Sequence, residues 1–380
     1  MITLYEAVQG IKELNKEERE KLLKLDELYG EFCMKFRYDC DQMTLTNMDE
    51  ECETFLRHRK LGNKYYPQLK RPGCNYTNQH IVLGEYLQTE FAKFNCFLSK
   101  YYVELVQPMI QKIKFFMGQV SPVWYTTYQN QTPTLENYHK ALEVLKQNPY
   151  ENVDDSDRNI TAKEAQKLIQ DHINERGYKW KVIINDDIIP RMSVNPNKTM
   201  YIRSDAKFSK TDIEGLKAHE VDGHIGRRYY GLRTGLHLFQ FGLIWRNNLD
   251  EGLAIYNSLH KVKKVKPNVL FNIALKTVIA YQLDKMDFCE LFEFCKELSP
   301  EIPDNALFAT IARFKREVED CSIMGGNGDD QSYFCGYQIV KDLTDAQRDD
   351  ILKYNIGPGQ LGELDDIKKF LQLNKFKPLI

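Results

Sequence analysis

Two histidines five residues apart, with a glutamate directly after the first, constrain this chain more than any other feature: Lys217 to His224 reads KAHEVDGH. On a straight α-helix residues five apart are turned by roughly 140° from each other, against ~40° at a spacing of four. Two imidazoles at the longer spacing therefore diverge. For His219 and His224 to serve one site, the helix must widen into a turn of π type or end between them, and Gly223 offers the backbone freedom for either. Ser209 with Asp212 three residues on marks a helix start just upstream, after which Ile213, Leu216, Glu220 and His224 fall near one face.

Converging imidazoles, a third ligand and an open position are what a catalytic zinc ion requires. His219 and His224 supply two ligands. The same pattern also arises by accident in a chain with eight histidines, each ring then packed or solvated. What favours metal is Asp250-Glu251-Gly252-Leu253-Ala254, an acidic pair opening a second helix downstream, where metallopeptidases commonly place their third ligand. Asp250 and Glu251 compete for that role, because adjacent carboxylates on one helix cannot both face the metal.

Around this segment the chain divides by pattern. From residue 1 to about 146 apolar residues recur three and four apart, as in Leu83, Tyr86, Leu87 and Phe91, which reads as a helical scaffold. Turn residues break it at Lys70 to Asn78 and at Asn130 to Thr134. The polar stretch Asn148 to Asn159 reads as a linker, giving a helical N-terminal region (1–150) and a catalytic region (151–380). Thr161 with Glu164 is a capping box for a helix to about Arg176. Two or three short strands follow, over Trp180 to Ile184 and on either side of the turn Asn195 to Lys198, at Ser193–Val194 and Met200–Ile202. Beyond Glu251 helical periods run to about Val318, then the glycine-rich loop Gly325 to Gly328 and a last helical region.

Bulk properties narrow the function classes. At 380 residues the chain exceeds the usual single-core size. Fifty-two Lys and Arg against 54 Asp and Glu give no bulk electrostatic case for nucleic acid or an anionic membrane. The N-terminus lacks the unbroken apolar core of a signal peptide, and Leu270 to Leu283, interrupted by Lys276, is too short to cross a bilayer. Nine cysteines with no CxxC pair read as free thiols in a reducing cytoplasm.

The HEVDGH segment, Tyr229-Tyr230-Gly231, the Gly242-Leu243 step and the Asp250 to Ala254 block together resemble the tyrosine carboxypeptidase family of HExxxH metallopeptidases. That family includes animal tubulin-detyrosinating enzymes and bacterial proteins named for a QEGLA motif. Arg191-Met192-Ser193-Val194 and Phe208-Ser209 extend the resemblance over roughly residues 180 to 340. It implies that His219, His224 and Glu251 bind one zinc ion per chain and that Glu220 is the general base. The chemistry agrees, since zinc brings the pKa of its water towards ~7 and a neighbouring carboxylate can take the proton.

Two positions depart from the family. Asp250 replaces the first residue of QEGLA, and Asp329 stands where a Lys-Asp-x-x-Tyr element has its lysine, within Asp329-Asp330-Gln331-Ser332-Tyr333. A carboxypeptidase must also hold a free C-terminal carboxylate, for which an arginine fork is suited. Arg191 sits in the matching segment, with Arg203, Arg227, Arg228 and Arg246 as rivals, and Tyr333 is a candidate donor to the developing oxyanion.

The expectation is an α+β, zincin-like metallopeptidase domain behind a helical N-terminal region. It hydrolyses a peptide bond at the C-terminal tail of a peptide or protein, with terminal tyrosine, another aromatic residue, and tubulin as partner implied by resemblance alone. The rivals are a catalytically inactive protein that binds peptide tails and a metallohydrolase of small amides.

Overall fold

In the computed structural model, which describes residues 11–40, 45–71, 75–128, 132–152, 155–186, 191–243, 248–318 and 320–380, helices dominate and two small sheets sit mid-chain, an α+β arrangement. The expected break at Lys70 to Asn78 falls in non-helical chain up to Thr77, the cap of the helix Asn78–Lys93, with 72–74 outside the described residues. The break at Asn130 to Thr134 is likewise outside them at 130 and 131, and so are residues 1–10, part of the linker (153 and 154) and Arg246. Seven cysteines, Cys33, Cys52, Cys96, Cys289, Cys295, Cys321 and Cys335, are free thiols, as expected. No helix among the described residues is long and apolar enough to cross a membrane.

Both expected helix starts form by the hydrogen bonding that their sequences encode. The Glu164 amide donates to Thr161 Oγ1 (3.3 Å) and the Thr161 amide to the Glu164 carboxylate (2.8 Å), opening the helix Ala162–Glu175. Ser209 and Asp212 exchange the same pair of bonds at 3.0 Å each. From there the helix Lys210–Leu216 runs straight into a π-helix, Lys217–Ile225, and on into the α-helix Gly226–Arg233.

Among the described residues five short strands are observed: β1 (Ile160–Thr161), β2 (Lys181–Ile184), β3 (Met192–Asn195), β4 (Thr199–Ile202) and β5 (Lys207–Phe208). β4 lies between β2, parallel to it, and β3, antiparallel; β1 pairs antiparallel with β5. The three-residue connection from β3 to β4 ends at Lys198 in the left-handed region (φ 65°), the usual closure for a hairpin loop of that length. Val182, Met200 and Ile202 share a buried core with Ala165, Ile169 and Ile173 of the helix Ala162–Glu175 and with Val221 and Ile225 of the π-helix. The apolar face of the π-helix is thus committed to this core, which fixes where its other face looks.

Two further cores draw on both sides of residue 150. One joins Leu22, Phe32, Phe91 and Tyr102 to Phe239, Leu253, Ile351 and Phe370. The other joins Phe55 and Leu145 to Ile279, Phe292, Phe308 and Phe334. The N-terminal helices therefore share their burial with the helices that follow the strands.

The helix Asn248–His260, which carries the Asp250–Glu251 pair, is clamped between two close neighbours. A Cβ on Gly223 would stand 3.1 Å from Ala254 Cβ, so this glycine admits the second helix; its φ lies outside the left-handed region. On the opposite side a Cβ on Gly336 of the helix Gln331–Val340 would lie 1.8 Å from the Asn248 carbonyl oxygen. Backbone cannot yield as a flexible side chain can. Gly336→Ala is therefore expected to cost about 3 kcal/mol or more, at the upper end for an overpacked site, and to lower the melting temperature clearly. An unchanged melt would mean that the helices are not in contact there.

Candidate metal centre

The π-helix resolves the divergence that a regular helix would impose. Its wider turn, bonded five residues apart, returns residue i+5 to the face of residue i, and the His219 and His224 ring centroids come within 5.1 Å. Of the two routes that the spacing left open, widening is the one taken. The segment is also tied down from outside: Asp222 accepts from Arg176 Nε and Nη2 (2.8 and 2.7 Å) and lies 3.1 Å from His172 Nε2.

Glu251 reaches this pair from the facing helix. Its Oε2 lies 3.5 Å from His219 Nε2 and 3.4 Å from His224 Nε2, and potential ligand atoms of all three residues lie within 4.8 Å of one another. Burial would push the Glu251 carboxyl up; the charge of His224 and the ion pairs with both imidazoles outweigh it and hold it at about 2. The same environment acts on His224, where burial opposes the imidazolium but Asp250 and Glu251 raise its pKa well above the usual value.

The other ring nitrogens are already engaged, which fixes the tautomers. Asp250 Oδ1 accepts from His224 Nδ1 at 2.9 Å. The Ser258 hydroxyl donates its one proton to the Ala254 carbonyl (3.0 Å), so towards His219 Nδ1, 3.4 Å away, it can only accept. In the neutral rings, the form that ligates a metal, these contacts put the proton on Nδ1 and turn both Nε2 lone pairs toward Glu251, whose Oε2 is buried with no hydrogen-bond partner. Two imidazole nitrogens and one carboxylate, whose buried Oε2 has no hydrogen bond, make a three-ligand donor set that fits a zinc ion, which would take the place of the imidazolium proton.

Asp250 has a different place from its neighbour. It pairs with Arg227 (2.8 Å), whose side chain is 1% exposed and also donates to Asn355 Oδ1. Asn355 in turn donates to the Phe239 and Gln240 carbonyls. A buried network thus holds the Asp250 carboxylate against the back of His224.

Tyr333 stands beside the centre, its ring centroid 6.4 Å from that of His219. The charge of Glu251, then burial, raises its pKa well above the ordinary phenol value, and Glu220 contributes in the same direction. Glu220 itself is half-buried on the π-helix. Arg191 is placed elsewhere: it donates to the Lys207 carbonyl (3.3 Å) and faces Asp212 (3.7 Å), an acid also met by Arg158 and Lys266. Arg203 pairs with Asp205, and Arg228 donates to the Val194 carbonyl. Asp329, in the place of the family lysine, faces Lys112 at 3.8 Å.

A family model described as microtubule-associated tyrosine carboxypeptidase matches residues 117–354, which include every residue of this centre. The chain belongs to that family. No curated protein matches it. Membership of a carboxypeptidase family gives peptide-bond hydrolysis as the class of activity. The matched span opens at the end of the helix Ser99–Phe116, so it takes in the helices Pro122–Tyr128 and Leu135–Gln147 of the N-terminal half together with the sheets.

Sequence reasoning treated Asp250 only as a rival ligand and overlooked Ser258 and Asp222. Ser258 lies seven residues after Glu251, two turns along the same helical face. That spacing was the available signal.

Proposed function

We propose that this chain is a zinc-dependent carboxypeptidase of zincin-like fold, with His219, His224 and Glu251 as ligands and Glu220 as general base. The observation that carries this reading is the buried Glu251 oxygen that makes no hydrogen bond and stands 3.5 and 3.4 Å from the Nε2 atoms of His219 and His224. Zinc held there supplies Lewis acidity for attack on an amide carbonyl. Glu220 takes a proton from the attacking water and delivers it to the leaving amine. Tyr333, kept protonated by the negative charge beside it, donates to the carbonyl oxygen as that oxygen gains charge. Asp250 and Ser258 hold the two imidazoles in the ligating tautomer.

The substrate in this reading is the C-terminal tail of a peptide or protein, with a terminal tyrosine or other aromatic residue preferred. The family's description supports tyrosine and associates its members with microtubules; a cytoplasmic protein tail, tubulin's among the candidates, would fit. The test is a C-terminally randomised peptide pool incubated with metal-loaded protein and read by mass spectrometry. Shortening of many members by one residue from that end, abolished by a chelator, is expected. An intact pool with metal bound would point to a tail-binding protein, and cleavage of small amides alone to a metallohydrolase of another class.

A further inference from the structure

Besides His219, Tyr333 has a cationic neighbour. The Lys276 ammonium lies 4.7 Å above its ring centroid and 2.9 Å from Asp330 Oδ2. Arg313 grips the same carboxylate with Nε (2.5 Å) and Nη2 (3.1 Å), yet its side chain is 42% exposed. Asp330 is buried, and Arg316, whose Nε is buried without a hydrogen-bond partner, adds its charge to the group. Three cations around one carboxylate leave a positive surplus.

We propose that Lys276 and Arg313, braced on Asp330, form the seat for the substrate's C-terminal carboxylate, a proposal that rests on the carboxypeptidase reading above. The donors suit it. Arg313 spends Nε and Nη2 on Asp330 and keeps Nη1, and the ammonium keeps two of its three N–H groups, all available to an anion. The position suits it too. In the last residue of a peptide the carboxylate follows the scissile carbonyl by one residue, ~3.8 Å between Cα atoms. Tyr333 adjoins both groups, its ring centroid 6.4 Å from that of His219 and 4.7 Å from the Lys276 ammonium, and both cations are near enough to feel the Glu251 charge. Asp330 keeps the two cations from repelling each other and sets their spacing, and the cations hold its carboxyl far below the usual range although burial opposes ionisation. Arg191, the choice from sequence, is already committed to Asp212.

The test separates binding from turnover by using metal-loaded Glu220→Gln protein. A fluorescent peptide ending in tyrosine as the free acid, and the same peptide ending in the amide, are titrated by anisotropy. Free acid should bind about 10-fold or more tighter than amide, the worth of a charge-assisted pair. Adding Lys276→Gln or Arg313→Gln, each able to keep a hydrogen bond to Asp330, should bring the ratio to within about 2-fold. Arg191→Gln should leave it intact. Melting temperatures show which variants fold, and either seat variant alone decides the matter. A ratio near one in the parent, a ratio that survives both seat variants, or one lost on Arg191→Gln would overturn the seat. A protein that shows the ratio but never shortens the pool would keep the seat and refute hydrolysis.

Discussion

Glu220→Gln is expected to bind metal and fold as the wild type does while losing roughly 10²–10⁴-fold in turnover, the range a general base contributes. Glutamine keeps the shape of the side chain but cannot accept a proton. Nothing in the packing makes the substitution costly, because the half-buried Glu220 carries no part of the core; Val221 and Ile225 of the same π-helix do that. Tyr333, beside the centre, feels the charges of both Glu251 and Glu220. The measurement is turnover of a peptide from the shortened set, with metal content and melting temperature determined on the same samples. A zinc-loaded, folded variant with near-wild-type turnover would place the base elsewhere. A variant without metal would instead give Glu220 a role in holding the site together.

What could be read from sequence here was local, and what could not was pairwise across distance. Capping chemistry at Thr161 and Ser209 is written within four residues, and both helices start there. The spacing of His219 and His224 demanded a departure from α geometry, and the π-helix supplies it. Gly223 was read for backbone freedom, yet what it provides is room for Ala254, a contact that no local pattern announces. The proposed seat was hidden for the same reason: Lys276 and Arg313 come from two helices, Val269–Gln282 and Asp304–Lys315, and Asp330 from the turn that opens a third, Gln331–Val340. One trace was visible. Lys276 interrupts an otherwise apolar run, and a lysine in the middle of a buried helix needs an acid to meet it. Sequence used it to exclude a membrane span and asked nothing further.

Glu251→Ala should strip the metal and leave the fold standing, whereas Asp250→Ala should weaken metal binding by about 10–100-fold, the usual worth of an outer partner of a ligating histidine, and destabilise the protein. The contrast follows from what each carboxylate touches. Glu251 Oε2 faces the two Nε2 atoms, so its removal costs the ligand set, whereas the network around Arg227 and Asn355 is built on Asp250. Asp250 faces His224 Nδ1 and the buried guanidinium of Arg227. Deleting it removes the carboxylate 2.8 Å from the buried Arg227 guanidinium, and Asn355, which also accepts from Arg227, is neutral. Breaking a fully buried pair costs ~3–5 kcal/mol; with the Asp250 side chain 32% exposed, on the order of 2–3 kcal/mol is expected here. Asp250→Asn is the informative intermediate, because the amide oxygen can still accept from His224 Nδ1 while the charge opposite Arg227 is lost. It should keep metal better than Asp250→Ala and melt below the wild type. Elemental analysis after dialysis, paired with thermal melts, reads both effects, and His237→Ala serves as the histidine control, since that ring meets Gln240 and packs over Gly30. Zinc retained at full occupancy in Glu251→Ala but lost in Asp250→Ala would exchange the roles of the two carboxylates.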